Sequence, residues 1–381
     1  MKTTHRILSG DARQMDAVGD ESVELIVTSP PYPMIEMWDS AFASLNPEIA
    51  DALAREDGPL AFELMHGELD KALGEFLRVL KPGCFACINI GDATRTLRGN
   101  FRLFSNHSRI LQSACRLGFT SLPDILWRKQ TNAPNKFLGS GMLPAGAYVT
   151  YEHEYVLIFR KGEKRQFLTD AEKLGRRQSA FFWEERNLWF SDLWLDLKGA
   201  TQGLADSDTR KRSAAFPFDI PYRLVQMYSL AGDTVLDPFL GTGTTSVAAL
   251  ASARHSVGLE IDAALRAVSH DSLADARGVG VKRTVGRLAA HREFVRVRKE
   301  AGGDFKHVHP HYVFPVVTKQ EVDLRLYWPV RVRKTKLGVF EAEHSAALPE
   351  IEELVQAELP LTLDRWETPG PHQSSRRPAQ A

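Results

Sequence analysis

Two stretches hold residue types whose spacing suits chemistry. The first is Val23–Pro33, VELIVTSPPYP. Its apolar run, Leu25-Ile26-Val27, stops at Thr28-Ser29-Pro30-Pro31-Tyr32, which reads as a buried strand entering a stiff turn. Each proline fixes its own φ, lacks an N–H and pushes the preceding residue out of the helical region. Ser29 and Pro30 are therefore held extended, and no helix starting there can consume the Pro30 carbonyl. A hydroxyl acceptor (Ser29), a fixed carbonyl (Pro30) and an aromatic ring (Tyr32) at a strand end suit a flat ring bearing an amino group. A plain proline-rich turn is the other reading of this stretch alone.

The second stretch is Val235–Thr245, VLDPFLGTGTT. Gly241 and Gly243 bracket a turn between a strand and a helix over residues 244–253. Missing side chains let backbone N–H groups approach a ligand, and a helix N-terminus favours negative groups. Glu260 ends the next strand, nineteen residues after Gly241, where an acid can accept hydrogen bonds from both ribose hydroxyls. The pattern predicts an adenosine-containing ligand. A nicotinamide dinucleotide would bring a third glycine, and Ser246 stands there instead. Asp237 would repel a pyrophosphate but suits an ammonium group, such as that of S-adenosyl-L-methionine. Ordering the turn is the other role open to Asp237.

The elements that must position these residues follow from periodicity. Strands are expected over residues 6–9 (ending at Gly10-Asp11), 23–28, 84–90 (ending at Gly91-Asp92), 121–129, 154–160, 234–237 and 256–261. Helices are expected at 68–80, 108–117 and in the stretch 216–230, with a loop and short helices over 34–66. Alternation of strands and helices indicates an α/β fold with a mostly parallel sheet covered on both faces. The strands 121–129 and 154–160 lack an intervening helix and suggest an antiparallel edge. Five regions result. Residues 1–160 form a first half holding the proline turn, 161–212 a recognition insert with Trp183, Trp189 and Trp194, and 213–276 a second half holding the glycine turn. Residues 277–366 form a separate α+β appendage with an acidic helix at 349–358, and 367–381 a disordered tail.

The chain has 381 residues, 43% hydrophobic and 25% charged, with a formal net charge of zero. Charge is uneven. Residues 160–177 carry seven basic and three acidic side chains, and 282–299 seven basic and one acidic. Such runs can track phosphates or serve as solvated faces. Cys84 and Cys87 lie in a strand-like run without a second pair or nearby His, so no metal site is expected. Three cysteines without obvious pairing suit a reducing compartment. With no apolar leader or bilayer-length stretch, a soluble cytoplasmic protein is expected.

Taken together, the chain resembles the DNA amino-methyltransferases that methylate an exocyclic nitrogen, in the permuted group whose catalytic half precedes the cofactor half. The matching residues are Gly10-Asp11, Thr28-Ser29-Pro30-Pro31-Tyr32, Arg78–Gly83, Trp127-Arg128-Lys129, Pro217, Pro221, Asp237-Pro238-Phe239-Leu240-Gly241-Thr242-Gly243 and Glu260. The resemblance covers residues 5–276. It implies a seven-stranded Rossmann-like sheet with S-adenosyl-L-methionine at its carboxyl ends. Phe239, Gly241 and Gly243 would line the cofactor, beside Thr28, Pro238, Thr242 and Thr244, with Glu260 on the ribose and Asp11 at the adenine. Double-stranded DNA is the implied partner, and a cognate restriction endonuclease would act on the same site.

No cysteine follows a proline, so the nucleophile for C5-cytosine methylation is missing. Direct transfer to an exocyclic amine needs none. Ser29 Oγ and the Pro30 carbonyl would each accept one N–H and aim the nitrogen lone pair at the methyl donor. The target must be flipped out of the duplex, with Pro31 stiffening the loop and Tyr32 stacking on the base. A Ser hydroxyl can serve either amine. In the resembled family Ser at this position goes mainly with N4-cytosine, which is the favoured target over N6-adenine. An RNA or protein-amide methyltransferase, a nicotinamide oxidoreductase and a non-catalytic DNA-binding module are the remaining readings. The motif order and Ser29 disfavour the protein-amide enzyme, and Ser246 with Asp237 disfavours the oxidoreductase.

Overall fold

The computed structural model describes residues 1–129, 138–199 and 216–349. Ten strands form the main sheet. They are β1 (Lys2–Ser9), β2 (Val23–Thr28), β3 (Leu80–Ile90), β4 (Phe119–Arg128), β5 (His153–Lys161), β6 (Leu193–Trp194), β7 (Thr234–Asp237), β8 (His255–Glu260), β9 (Trp328–Lys336) and β10 (Val339–Ser345). Their spatial order is β6-β4-β5-β3-β2-β7-β8-β1-β10-β9. The run from β3 to β1 is parallel, and β5 lies antiparallel between β3 and β4. The expected seven strands thus become ten. A short strand joins one margin and a C-terminal hairpin the other.

The helices are α1 (Asp39–Leu45), α2 (Pro47–Ala54), α3 (Gly58–Val79), α4 (Asn106–Leu117), α5 (Asp170–Gln178), α6 (Trp183–Trp189), α7 (Asp219–Tyr228), α8 (Thr244–Ala251), α9 (Ala263–Ala274) and α10 (Ala276–Glu300). Every residue of β2 is buried, because helices cover both faces of a parallel sheet, so VELIVT shows no alternation. Glu24 within it accepts the Thr234 N–H at 2.8 Å and pairs with Lys81. The loop expected before residue 67 is largely helical, and α3 starts ten residues earlier than its apolar period suggests. Asp57 caps it by accepting the Leu60 N–H, which satisfies one of the end's orphan donors. His66 and Glu68 obscure the period. Both are buried, His66 against Asn106 at 3.0 Å and Glu68 against Arg13 and Lys71.

The separate C-terminal appendage is corrected. β10 pairs antiparallel with β1, Lys2–Arg6 against Val339–Glu343. Phe340 and Ala342 pack with Ile7, Leu240, Val247 and Leu250. Chain 161–199 is no independent unit either. Trp189 packs on Tyr222, Ala248 and Ala251, and Trp194 on Ile125 and Trp127. Phe182 shares a small core with Tyr312, Phe314, Val316, Leu324 and Leu326. The apolar residues of the insert therefore hold the body of the protein together.

The basic runs change role as well. Arg165 pairs with Asp233, Arg177 with Asp323, Arg283 with Asp219, and buried Arg287 with Glu185. Because β5 is antiparallel, Arg160 and Lys161 lie beside the starts of β3 and β4, at the sheet edge opposite the glycine turn. Residues 130–137 of the linker after β4, 200–212 of the expected insert, the acidic helix from residue 350 and the tail 367–381 lie outside the described residues.

A hairpin that completes the core makes a prediction. Phe340→Ala should cost ~3–5 kcal/mol in urea unfolding of the whole chain. Leu337→Ala, at a position 85% exposed, should stay within ~0.5 kcal/mol. An unchanged main transition in the Phe340 variant would mean that the hairpin is not part of the cooperative core.

Candidate active site

All the parallel strands end on one edge, and there the two parts of the chain meet. β2 pairs with β7 through Leu25–Val235 and Ile26–Leu236. Open α/β sheets bind ligands at such a junction, where neighbouring strands connect in opposite directions. Register sets Ser9 beside Glu260, Asp237 beside Gly258 and Thr28 beside Ile88. Asp11, the Thr28–Tyr32 loop, Asp92, the Asp237–Thr244 turn and Glu260 therefore share this edge.

The junction is tied by a side-chain bond. Thr28 Oγ1 donates to Asp237 Oδ1 at 2.6 Å, and the Phe239 N–H donates to the same oxygen at 3.1 Å. Both side chains are buried. Burial pushes the Asp237 carboxyl up to about 6, against the donors Thr28, Thr245 and Phe239 N–H that favour the charged form. Asp237 thus has the turn-ordering role. Pro238 behind it is buried and Phe239 half-buried.

The turn needs its glycines. Gly243 has φ +87°, and a Cβ there would sit 2.9 Å from Ser269 Cβ. Gly241 has φ +54°, and its N–H donates to Glu260 Oε2 at 2.8 Å. The Asp262 N–H donates to Oε1, also at 2.8 Å. Two backbone donors therefore fix the Glu260 carboxylate while each oxygen keeps a lone pair. Burial raises its pKa, and these donors oppose the rise. The Thr242 hydroxyl, in the turn, lies 3.4 Å from that of Thr244, the first residue of α8. Asp11 is gripped by Arg13 through a backbone N–H at 2.8 Å and the guanidinium at 2.8–3.1 Å. Burial opposes its ionisation, but Arg13 holds the carboxyl below the ordinary range.

At the end of β2, Ser29 is half-buried and Pro30 buried, with Pro31 half-buried beside them. Among the described residues nothing donates to the Pro30 carbonyl, whereas the Pro33 carbonyl takes Asn106 Nδ2 at 3.0 Å. Tyr32 departs from expectation. Its ring is 8% exposed, with an edge against Gly91, so it offers little open face for stacking. Its hydroxyl is the centre of a buried cluster. It donates to Glu154 Oε2 at 2.9 Å, accepts from Asn89 Nδ2 at 2.8 Å and lies 3.0 Å from Ser29 Oγ. Lys129 Nζ donates to Glu154 Oε1 at 2.9 Å.

Asn89 and Glu154 escaped the sequence reading. Their signals are an amide inside the apolar run CINIG and an acid opening EYVLIFR. Asp92 accepts the His107 N–H at 3.0 Å and its Nδ1 at 2.7 Å, ordering the start of α4. No group of metal-ligating side chains forms among the described residues. Burial pushes the Cys84 thiol up to about 11, an unreactive state.

The Asp237 environment has a measurable consequence. Its folded pKa lies above the unfolded value, so its stabilisation is complete below about pH 4 and lost as pH rises through about 6. Asp237→Asn removes that dependence. Stability of the variant relative to wild type should rise between pH 4 and 7 by roughly 2 kcal/mol in denaturant titrations. A difference that stays constant with pH would refute the buried, proton-coupled carboxyl.

Residues 23–269 match the N6/N4 DNA methylase family. The type II methyltransferase M.MthZI of Methanothermobacter thermautotrophicus is 48% identical over 353 residues, 92% of this chain and 98% of that one. M.MjaI of Methanocaldococcus jannaschii, also a type II methyltransferase, is 50% identical over 282 residues, 71% of this chain and 91% of its own. Among solved structures, TTHA0409 of Thermus thermophilus was solved complexed with S-adenosyl-L-methionine. It superposes with a TM-score of 0.56 at 30% identity over 71% of this chain and 94% of that one. No described helix is long and apolar enough to cross a membrane. With the Ser29–Tyr32 loop and the glycine turn joined at one sheet edge, the chain belongs to the N6/N4 family of DNA amino-methyltransferases, alongside the methyltransferases of type II restriction-modification systems.

Proposed function

We propose that the chain transfers a methyl group from S-adenosyl-L-methionine to the exocyclic N4 of cytosine in double-stranded DNA, with N6 of adenine as the second reading. The observation that carries this is the pair of acceptors at the end of β2. Ser29 Oγ and the Pro30 carbonyl, to which nothing donates among the described residues, stand on a loop tied by Thr28 to the turn that would hold the cofactor.

The crevice chemistry fits that cofactor. Asp11 and Glu260 set carboxylates along the edge, with Asp237 buried behind the turn, which suits a cationic ligand and opposes a pyrophosphate. Glu260, fixed by two N–H groups, retains one lone pair per oxygen for a ribose diol. Phe239, Gly241 and Gly243 would line the cofactor, with Thr28, Pro238, Thr242 and Thr244 around it and Asp11 toward the adenine. When bound, the cofactor supplies an electrophilic methyl group on a sulfonium. Ser29 and Pro30 each accept one N–H of the base amine, which draws the nitrogen toward tetrahedral geometry and aims its lone pair. A hydroxyl at the first loop position favours cytosine, as in the resembled family.

The base must leave the duplex to reach Ser29. Cations near this edge come from the two-stranded hairpin Ala93–Leu97 and Asn100–Phe104, which follows β3. Arg98 and Arg102 are exposed. The Arg98 backbone N–H donates to Glu56 and its guanidinium to the Arg55 carbonyl, but neither guanidinium pairs with a carboxylate among the described residues, and we assign phosphate contacts to both. A restriction endonuclease acting on the same site would be the cognate partner.

The direct test is incubation with methyl-labelled S-adenosyl-L-methionine and unmodified duplex DNA, then nucleoside mass analysis. Label is expected in N4-methylcytosine. Label in N6-methyladenine would transfer the reading to adenine, and no label in DNA would overturn it. Ser29→Ala should slow transfer by ~100-fold with cofactor binding intact. Separately, Arg98→Ala with Arg102→Ala should reduce the slope of log Kd against log salt by about two. An unchanged slope would remove these residues from the DNA interface.

A further inference from the structure

The direction of the hydrogen bonds around Tyr32 can be settled by counting protons. The argument rests on the proposed role of Ser29 as an acceptor for the substrate amine. Asn89 Nδ2 only donates, and it reaches both the Tyr32 oxygen at 2.8 Å and Glu154 Oε2 at 2.7 Å. The reverse amide orientation would set its carbonyl oxygen against the carboxylate. Glu154 only accepts, and Lys129 grips its other oxygen. Tyr32 has one proton, and the 2.9 Å contact with Glu154 Oε2 requires it. If Tyr32 pointed that proton at Ser29 instead, two buried oxygens would face each other with none between them. The 3.0 Å contact between Ser29 Oγ and the Tyr32 oxygen is therefore bridged by the Ser29 proton. Ser29 is left with two lone pairs and no proton to offer, which is the state an amine acceptor needs.

The cluster is enclosed. Tyr32 is 8% exposed, Asn89 2% and Glu154 8%, so these bonds are strong and their direction costly to reverse. Burial and the neighbouring Glu154 both raise the Tyr32 pKa, so the phenol keeps its proton. Lys129, by contrast, is half exposed and sets the far end of the chain at the solvent boundary. β5 brings Glu154 to the site from the opposite direction to β2 and β3, because it alone among these strands is antiparallel.

We propose that Glu154 is a positioning residue for methyl transfer, which fixes the Ser29 hydroxyl as an acceptor through Tyr32 and ends a relay that removes the amine proton. Once the new carbon–nitrogen bond has formed and the methyl carbon–sulfur bond of the donor has broken, leaving its electron pair on sulfur, the nitrogen carries a positive charge and one surplus proton. Ser29 Oγ takes that proton, and the N–H electron pair stays on nitrogen. The Ser29 proton passes to the Tyr32 oxygen, and the Tyr32 proton to Glu154 Oε2. Each hydroxyl gives one proton and takes one, so only nitrogen and Glu154 change charge. Water beside Lys129 then receives the proton.

The test uses the full chain in methyl transfer to unmodified duplex DNA, with Glu154→Gln and Tyr32→Phe. Glu154→Gln keeps the size and neutralises the carboxylate. Its kcat should fall about tenfold or more, while KM for DNA and for S-adenosyl-L-methionine stays within about twofold of wild type. Tyr32→Phe breaks the same link one residue earlier. The double variant should be no slower than Tyr32→Phe alone, because both remove one path. Glu154→Gln at the wild-type rate would overturn the proposal, as would a loss confined to KM or a double variant slowed by the product of the single effects. Should Glu154→Gln not fold, an unchanged kcat in Tyr32→Phe decides against it equally. A wild-type chain that labels no DNA would overturn the proposed function itself, whereas an active wild type with an equally active Glu154→Gln overturns only the relay.

Discussion

The hydrogen bond from Thr28 to Asp237 is the point on which the site depends. It joins residues 209 positions apart and ties the end of β2 to the end of β7. Without it, the loop that presents Ser29 and the turn that starts α8 would be set only by neighbouring strands. In-line transfer tolerates little error, since a reacting pair must be held near contact distance and aligned. A short bond between two buried side chains, backed by the Phe239 N–H, places both loops in one frame. The cost is a carboxyl removed from water. Burial raises its pKa toward neutrality, and the three donors around it make that burial tolerable.

The same economy of donors and acceptors runs along the whole edge. Glu260 is held by Gly241 and Asp262, Asp11 by Arg13, Asp92 by His107, and Glu154 by Tyr32, Asn89 and Lys129. Each acid at a strand end has a fixed donor set, so its free lone pairs point in a fixed direction before a ligand arrives. Such preorganisation means that little reorganisation accompanies the chemical step.

The parts of this site that the sequence made legible are those carried by local patterns. A β-branched run closed by two prolines locates Ser29 and Pro30, and glycine spacing with an acid on the following strand locates Gly241, Gly243 and Glu260. Asn89 and Glu154 belong to no local pattern. They meet Tyr32 from 57 and 122 residues away, and only the pairing of β5 with β3 brings them together. The start of α3 was hidden for a related reason. His66 and Glu68 look like surface residues, yet distant partners neutralise their burial. Tyr32 was misjudged because an aromatic beside a reactive loop says nothing of how deep its ring lies. The α+β character of the C-terminal region was visible, but not the strand that its hairpin joins.

That last pairing explains how a permuted chain can build one crevice. β1 comes from the start of the chain but lies beside β8, beyond the glycine turn, and so sets Ser9 beside Glu260 and brings Asp11 to the same edge. The Asp11 and Glu260 side of the crevice is therefore drawn from chain before β2 and after β7, and the Ser29 side from the loop that follows β2. An outer β1 would present its unpaired edge to solvent, the usual liability of such a strand. The hairpin β9–β10 covers it, and Phe340 seals the join against Ile7. The register of β1 sets Ser9 opposite Glu260 and so fixes where Asp11 stands at this edge; the hairpin, far along the chain from either acid, helps to hold β1 in place.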